Sequence, residues 1–294
     1  MVNPTAGRGR GAELVAPVVE RLRTRGVSAR VVTGADAAEA AELCRKAVAD
    51  GVEALVSLGG DGMAHTALQA VAGTETPLAI IPAGTGNDLA VSTGLPADPL
   101  AAADLVAEGE VRALDAVLSP AGDGLGGDVW WACVLGAGFD AAVTERANRM
   151  RWPRGPRRYD LAILAELRVF RPHPFVLELD GVRVEHEAVF VAVGNGPSYG
   201  AGMRIAPDAR LDDGLLDVTV VGAMSRRELV RMFPTVYKGT HVTHRAVTRH
   251  RARIVTLASP GQLAYVDGER LGQLPTRAEC HPGALRLLSP PRLI

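Results

Sequence analysis

Four short runs of this chain combine glycine with carboxylate in ways that suit phosphate and metal chemistry. They are Gly59-Gly60-Asp61-Gly62, Gly84-Thr85-Gly86-Asn87-Asp88, Asp212-Asp213-Gly214 and Asp267-Gly268-Glu269. In the first two, bare backbone amides at the opening of a helix would hold phosphate, helped by the helix dipole and by the lack of side chains. Asp61 beside a phosphate is repulsive unless a Mg²⁺ ion, a ribose hydroxyl or an acceptor hydroxyl intervenes. The plainer alternative stands beside this one: Asp61, Asn87 or Asp88 as helix caps. A third loop, Asn3-Pro4-Thr5-Ala6-Gly7-Arg8-Gly9, is small and basic enough to close over a nucleotide. Taken singly, Asp212-Asp213-Gly214 and Asp267-Gly268 read as turns.

Elements must carry these loops to one place. Apolar runs at 54–58 and 78–81 end in the two glycine loops, a short strand is expected at 29–32, and helical spacing covers 15–25, 37–50 and the stretch up to Val71. This strand, loop, helix rhythm reads as α/β with a parallel sheet. Loops after neighbouring parallel strands meet at the carboxyl ends of a sheet, where open α/β folds bind ligands. The second half changes character. Strands are expected at 129–135, 175–179, 188–193, 216–221, 253–257, 264–266 and 285–288, and helices at 142–150, 159–169 and 225–233. Asp180-Gly181 marks a hairpin. This half reads as mainly antiparallel β, with the boundary near 115–127, where Ser119-Pro120 and several glycines interrupt the pattern.

Composition narrows the function. The chain has 294 residues, 47% hydrophobic and 22% charged, with a net charge of -1. That suits a globular protein of one large or two ordinary domains and offers no basic field for nucleic acid. Lys46 and Lys238 are the only lysines. Cys44, Cys133 and Cys280 are scattered without C-x-x-C spacing, so neither a disulfide framework nor a cysteine zinc site is expected, and a reduced cytoplasm is the simpler setting. Met1 runs straight into the first loop, so no leader is expected, and no apolar run approaches a membrane span. No Walker motif is present. Gly136-x-Gly138-x-x-Ala141 fits a dinucleotide fingerprint but lacks a following strand with a ribose-binding acid.

Together these motifs resemble the diacylglycerol and sphingosine kinase catalytic domain. Asn3-Pro4-x-Ala6-Gly7, the Gly-Gly-Asp-Gly loop and Gly84-Thr85-x-Asn87-Asp88 are followed in order by Leu114-Asp115, Gly138-Phe139-Asp140, Gly194-Asn195, Ala209-x-Leu211-Asp212-Asp213-Gly214 and Asp267-Gly268-Glu269. The resemblance implies an NAD kinase-like α/β domain over residues 1–120 and a β-sandwich-like domain over 121–283 that binds lipid and metal, with 284–294 returning to the first. It implies that Asn3, Thr33, Gly59, Gly60, Asp61, Gly62, Met63, Ala64, His65, Gly84 and Thr85 hold ATP. Asp61, Asp88 and Asp115 would organise catalytic Mg²⁺ and water, and Arg210, Asp213 and Leu215 would hold a second Mg²⁺. Asp267 and Glu269 would take the proton from a lipid hydroxyl. A cytoplasmic homodimer meeting its lipid substrate, most simply diacylglycerol, at a membrane surface is implied as well. Here only Met1 and Val2 stand before the first loop where family members carry a full strand, so either the first strand is stunted or the true start lies upstream. An NAD kinase-type enzyme with a soluble acceptor, and a non-catalytic lipid or nucleotide module, are the competing functions.

Two further runs stand outside those motifs. Arg151, Trp152, Arg154, Arg157 and Arg158 could seat the protein on anionic lipid or form a solvated basic loop. His241, His244 and His250 are dense enough for zinc on paper, but surface or supporting roles are the expectation.

Overall fold

The computed structural model describes residues 1–4, 6–120, 127–150, 157–169, 171–200 and 202–291. The arginine-rich run at 151–156 lies outside them, as do the side chains of Arg157 and Arg158.

Helices α1 (Arg10–Thr24) and α2 (Ala37–Ala49) precede strand β1 (Leu55–Gly59). Helix α3 (Asp61–Val71) leads to β2 (Leu78–Pro82), α4 (Asp88–Ser92) and α5 (Pro99–Glu108). β1 and β2 run parallel in register from Leu55↔Leu78 to Gly59↔Pro82. Both faces of this sheet are covered. Val18, Leu22, Ala102 and Ala103 of α1 and α5 pack on Leu58 and Ile81, while Cys44, Ala47, Leu68 and Val71 of α2 and α3 pack on Leu55, Leu78 and Ile80. That is why both strands read as continuous apolar runs rather than alternating ones. The residues before the first loop join the sheet beside β1. Val2 bridges Leu58 in parallel, and the Asn3 N–H donates to the Leu58 carbonyl at 3.0 Å. The expected strand at 29–32 forms no ladder. Its bond to those first residues runs from the Val2 N–H to the Val32 carbonyl.

Strand β3 (Glu110–Pro120) opens the antiparallel half, followed by β4 (Asp128–Trp131), β5 (Val134–Gly138), α6 (Phe139–Arg149), α7 (Arg157–Val169), β6 (His173–Leu179) and β7 (Val182–Gly194). β8 (Leu216–Gly222), α8 (Arg226–Val236), β9 (Val247–Ala252), β10 (Ile254–Ala258), β11 (Leu263–Val266), β12 (Glu269–Gln273) and β13 (Thr276–Ser289) complete the chain. Its β-sandwich-like core holds Trp131, Leu135, Phe175, Leu177, Val191, Val218, Val255 and Leu257. Trp131 is fully buried with its indole N–H on Ser119 Oγ at 2.9 Å, which satisfies the one polar atom of a large apolar side chain. The hairpin at Asp180-Gly181 is present, with φ of 49° and 87° and Leu179 opposite Val182.

β13 joins the halves. It pairs with β10 and β3 antiparallel and reaches β2 in parallel at Leu287↔Leu78. The sheet runs β1-β2-β13-β10-β6-β7-β5-β11-β12 without closing. β3, β9 and β12 were not expected; their charged and polar residues (Arg112, Asp115, Arg249, Arg251, Glu269, Arg270) hide the apolar alternation. No helix among the described residues is long and apolar enough to cross a membrane.

Candidate active site

The two glycine loops meet directly. A side chain on Gly84 would bring its Cβ to 2.6 Å from the Gly60 Cα, so only glycine permits the approach. The Ala83 N–H donates to the Gly59 carbonyl at 2.8 Å. Asp61 is not the cap of α3: Gly60 holds that position and supplies no capping side chain. Instead the Asp61 carboxylate reaches across and accepts the Asn87 N–H at 2.8 Å and the Asp88 N–H at 2.5 Å. A Cβ on Gly86 would stand 2.5 Å from Asp61 Oδ2. Asn87, at φ 57°, stands at the N-cap of α4 but makes no side-chain capping bond, and instead binds Gly84 through both ends of its amide, at 3.0 Å each. The plain cap alternative therefore fails for Asp61, while Asn87 holds the cap position of α4 with its side chain turned to Gly84. Their side chains lock the loops together, and the opening amides of α3 are left for a ligand.

The other expected nucleotide residues divide. Asn3 lies beside Gly59, its Cβ 3.5 Å from where a Gly59 Cβ would be. Thr33 and Thr85 are exposed; Thr33 follows Val32, whose carbonyl binds Val2. Met63 and Ala64 are buried in the α/β core, so only their backbone can meet a ligand. His65 is held below the usual imidazole range by burial, partly countered by Glu269.

The β11–β12 turn brings the second set of acids to the same place. Asp267 (φ 48°) and Gly268 (φ 86°) make the tight turn expected of that dipeptide, so the turn and the chemistry coincide. The Asp267 carboxylate accepts the N–H groups of Ala132, Cys133 and Val134 at 2.8, 2.9 and 3.0 Å. This explains why the single strand expected at 129–135 is broken into β4 and β5: the amides at the break bond to a side chain instead of a neighbouring strand. Burial raises the Asp267 carboxyl above its ordinary range, opposed by those three amides and assisted by the nearby Asp61 charge. Glu269 is exposed and reaches back to α3, its Oε1 3.3 Å from where a Gly62 Cβ would be. The Cys133 thiol is pushed up by burial, then by the charges of Asp267, Asp88 and Asp61, which marks these three carboxylates as neighbours.

Asp88 accepts the Gly200 N–H at 2.6 Å. Asp115, buried in β3, accepts the N–H groups of Gly214 at 2.7 Å and Gly283 at 3.0 Å. Asn195 joins the two acid groups; fully buried, its amide donates to the carbonyls of Asp115 at 3.0 Å and Ala132 at 2.7 Å. Sequence reading marked Gly194-Asn195 without assigning it a task; nothing but its place in the ordered motifs signalled this one. Asp140 was likewise unassigned. Burial raises it to about 6, countered by a bond from Tyr199.

The donor set suits Mg²⁺ at the loops. Asp61 and Asp88 offer hard oxygens for the ion and Asp267 a base beside it; Asp61 and Asp267 are held by backbone amides, and among the described residues neither is paired with an arginine or lysine. Their charge is oriented but not cancelled, which favours a divalent cation with its waters. The Arg210, Asp213 and Leu215 group differs. Asp213 accepts the Leu215 N–H at 3.1 Å and forms an ion pair with Arg251, which also contacts Asp217 at 3.3 Å. Arg210 is exposed and lies 3.6 Å from Asp212. A guanidinium thus pairs with Asp213, the one carboxylate of the expected second ion site, in which Arg210 and Leu215 would contribute only backbone carbonyls. Among the described residues no group of three or more His, Cys, Asp or Glu could hold a metal. His241 is buried with Nε2 3.2 Å from the Ile205 carbonyl, and His250 stacks near His186, so the histidines do not converge.

Residues 1–119 match the Diacylglycerol kinase catalytic domain, and residues 133–289 match the YegS C-terminal NAD kinase beta sandwich-like domain. A diacylglycerol kinase of Mycobacterium tuberculosis is 44% identical over 292 residues, covering 99% of this chain and 94% of that protein. The crystal structure of a diacylglycerol kinase from Bacillus anthracis superposes with a TM-score of 0.73 at 22% identity, covering 100% of this chain and 96% of the other. An NAD kinase from Archaeoglobus fulgidus, solved in complex with ATP, shares the fold at a TM-score of 0.52 and 13% identity, covering 93% and 88%.

Proposed function

The chain belongs to the diacylglycerol kinase family of lipid kinases, and from that premise we propose that it moves the γ-phosphoryl group of ATP onto a hydroxyl of diacylglycerol, giving phosphatidic acid. The observation that carries this reading is the meeting of the β11–β12 turn with the glycine loops: Glu269 reaches Gly62 at the opening of α3 while Asp267 is fixed behind it. Acids suited to an acceptor hydroxyl thereby face amides suited to phosphate.

Phosphoryl transfer is mostly positioning and charge stabilisation. In this reading the amides of Gly60 and Gly62 at the opening of α3 face the phosphates, Gly59, Gly84 and Thr85 shape the cradle around them, and Asn3 and Thr33 stand at its edge. Asp61, Asp88 and the more distant Asp115 form the acidic side of that cradle. Asp61 and Asp88 would hold Mg²⁺, which when bound neutralises charge on the transferring phosphoryl group. Asp267 accepts the proton of the attacking hydroxyl. Its fixed orientation and raised basicity suit that role. Glu269 orients the hydroxyl from the solvent side. Such an enzyme works from the cytoplasm, where ATP is available, and meets its acceptor at a membrane surface.

The test is ATP turnover with Mg²⁺ against diacylglycerol and other lipid hydroxyls in micelles, with NAD as the soluble acceptor. Turnover with diacylglycerol that collapses in Asp267→Asn is expected. Turnover with NAD alone would replace the lipid by a soluble acceptor, and ATP binding without any turnover would leave a binding module.

A further inference from the structure

Helix α8 turns Leu229, Met232 and Val236 into the core, and the Ser225–Glu228 capping box fixes its start. Its outward side is not the polar face that a surface helix ordinarily presents. Val230, Phe233 and Tyr237 are 52%, 36% and 50% exposed. Spaced three and four residues apart, they form one row, and the rings of Phe233 and Tyr237 meet edge to face with centroids 6.2 Å apart. Exposed basic residues flank that row: Arg226, Arg227, Arg231 and Lys238. Among the described residues Arg227, Arg231 and Lys238 form no ion pair, and the acid of this helix, Glu228, is taken up by Ser225 and Arg245. The row continues on a second element. Arg226 Nη2 donates to the Arg168 carbonyl at 2.9 Å, which sets the start of α8 beside the end of α7, where Leu164 and Val169 are 60% and 63% exposed.

We propose that the outward face of α8, with the adjoining end of α7, seats this enzyme on an anionic bilayer. The choice of a bilayer rests on the lipid-acceptor reading above. The charge pattern also supports it over a second copy of the chain. A two-fold contact through this row would press the same unpaired arginines against their own copies. Anionic headgroups neutralise them instead, while the aromatic and aliphatic side chains enter the boundary between headgroups and acyl chains.

Sedimentation with phosphatidylcholine vesicles, with and without phosphatidylglycerol, tests this. It would compare the wild type with Phe233→Ser/Tyr237→Ser and with Arg227→Glu/Arg231→Glu. The wild type should bind the anionic vesicles, and each double variant should bind them about tenfold less. The arginine variant should also lose most of the salt dependence. Turnover of a short-chain diacylglycerol presented without a bilayer should match wild type in both, since neither pair touches the active site. Variants that sediment like the wild type would overturn the proposal. So would a wild type that ignores anionic vesicles, or a dimer that dissociates on these substitutions while vesicle binding is unchanged. Row-dependent vesicle binding in an enzyme with no diacylglycerol turnover would remove the acceptor reading and leave the docking surface standing.

Discussion

Two acid-rich regions of this molecule hold their carboxylates in opposite ways. At the glycine loops, Asp61 and Asp267 are gripped by backbone N–H groups. Beyond Asn195 and Asp115, Asp213 and Asp217 are gripped by the Arg251 guanidinium. Amides fix an anion in place without cancelling its formal charge, whereas a guanidinium does both. The first arrangement leaves a directed negative site able to work on a cation or a proton. The second holds the 211–217 segment in shape. Counting aspartates in the sequence cannot separate the two, because the difference lies in what each carboxylate touches.

Substitution can break that contrast, most strongly at Asp267. Asp267→Asn keeps the shape and removes the charge, and lipid-dependent ATP turnover should fall about a thousandfold. A fall below tenfold would mean that the amide cradle, not the charge, is what matters. Because burial raises the Asp267 carboxyl, turnover should decline on the acid side from a pH above the ordinary aspartate range, as the base becomes protonated.

Asp140 sharpens the contrast from a third position, held by neither amides nor a guanidinium but by Tyr199. Its carboxyl is raised from 3.8 to about 6, so the folded state binds the proton more tightly than the unfolded chain. Its contribution is present below pH 4 and is lost as pH rises through 6. Denaturant titrations of Asp140→Asn against wild type should therefore show the mutant gaining about 3 kcal/mol in relative stability between pH 4 and pH 7. A pH-independent difference would contradict the burial argument.

Gly86→Ala tests the grip on Asp61 from outside. Its Cβ at 2.5 Å from Asp61 Oδ2 must push the carboxylate off the Asn87 and Asp88 amides, at a cost of about 2 kcal/mol by thermal unfolding and with weaker ATP binding. Arg251→Ala should matter least. The ion pair is half exposed, so the expected loss is about 1 kcal/mol, with turnover changed less than about threefold. A larger loss of turnover would move the Asp213 region into the catalytic machinery.

Much of this was legible in the sequence. Apolar runs ending in glycine marked β1 and β2, because a strand covered on both faces has no polar side to blur it. The ordered motifs named Asp61, Asp88 and Asp267 as candidates, and the structure sets them together around Cys133. What stayed hidden depends on distant partners. The break between β4 and β5 is made by a side chain more than 130 residues away. β3 carries Asp115 and Arg112 amid apolar neighbours, and so reads as a boundary. Asn195 shows its task only once β7 is set beside β3 and β5. Arg251 could not be foreseen as the partner of Asp213, since 38 residues separate them.

β13 has a mechanical consequence. One continuous strand of 14 residues is stitched to β2 in one half and to β3 and β10 in the other, so the halves cannot swing apart on a loose linker. They must bend a ribbon. The ladder between β13 and β3 loses register between His281 and Leu285, and there the Gly283 N–H is held by Asp115. The Asp115 carboxylate that holds Gly283 also holds Gly214, so any flexure of the ribbon at that bulge would carry the 211–217 segment with it.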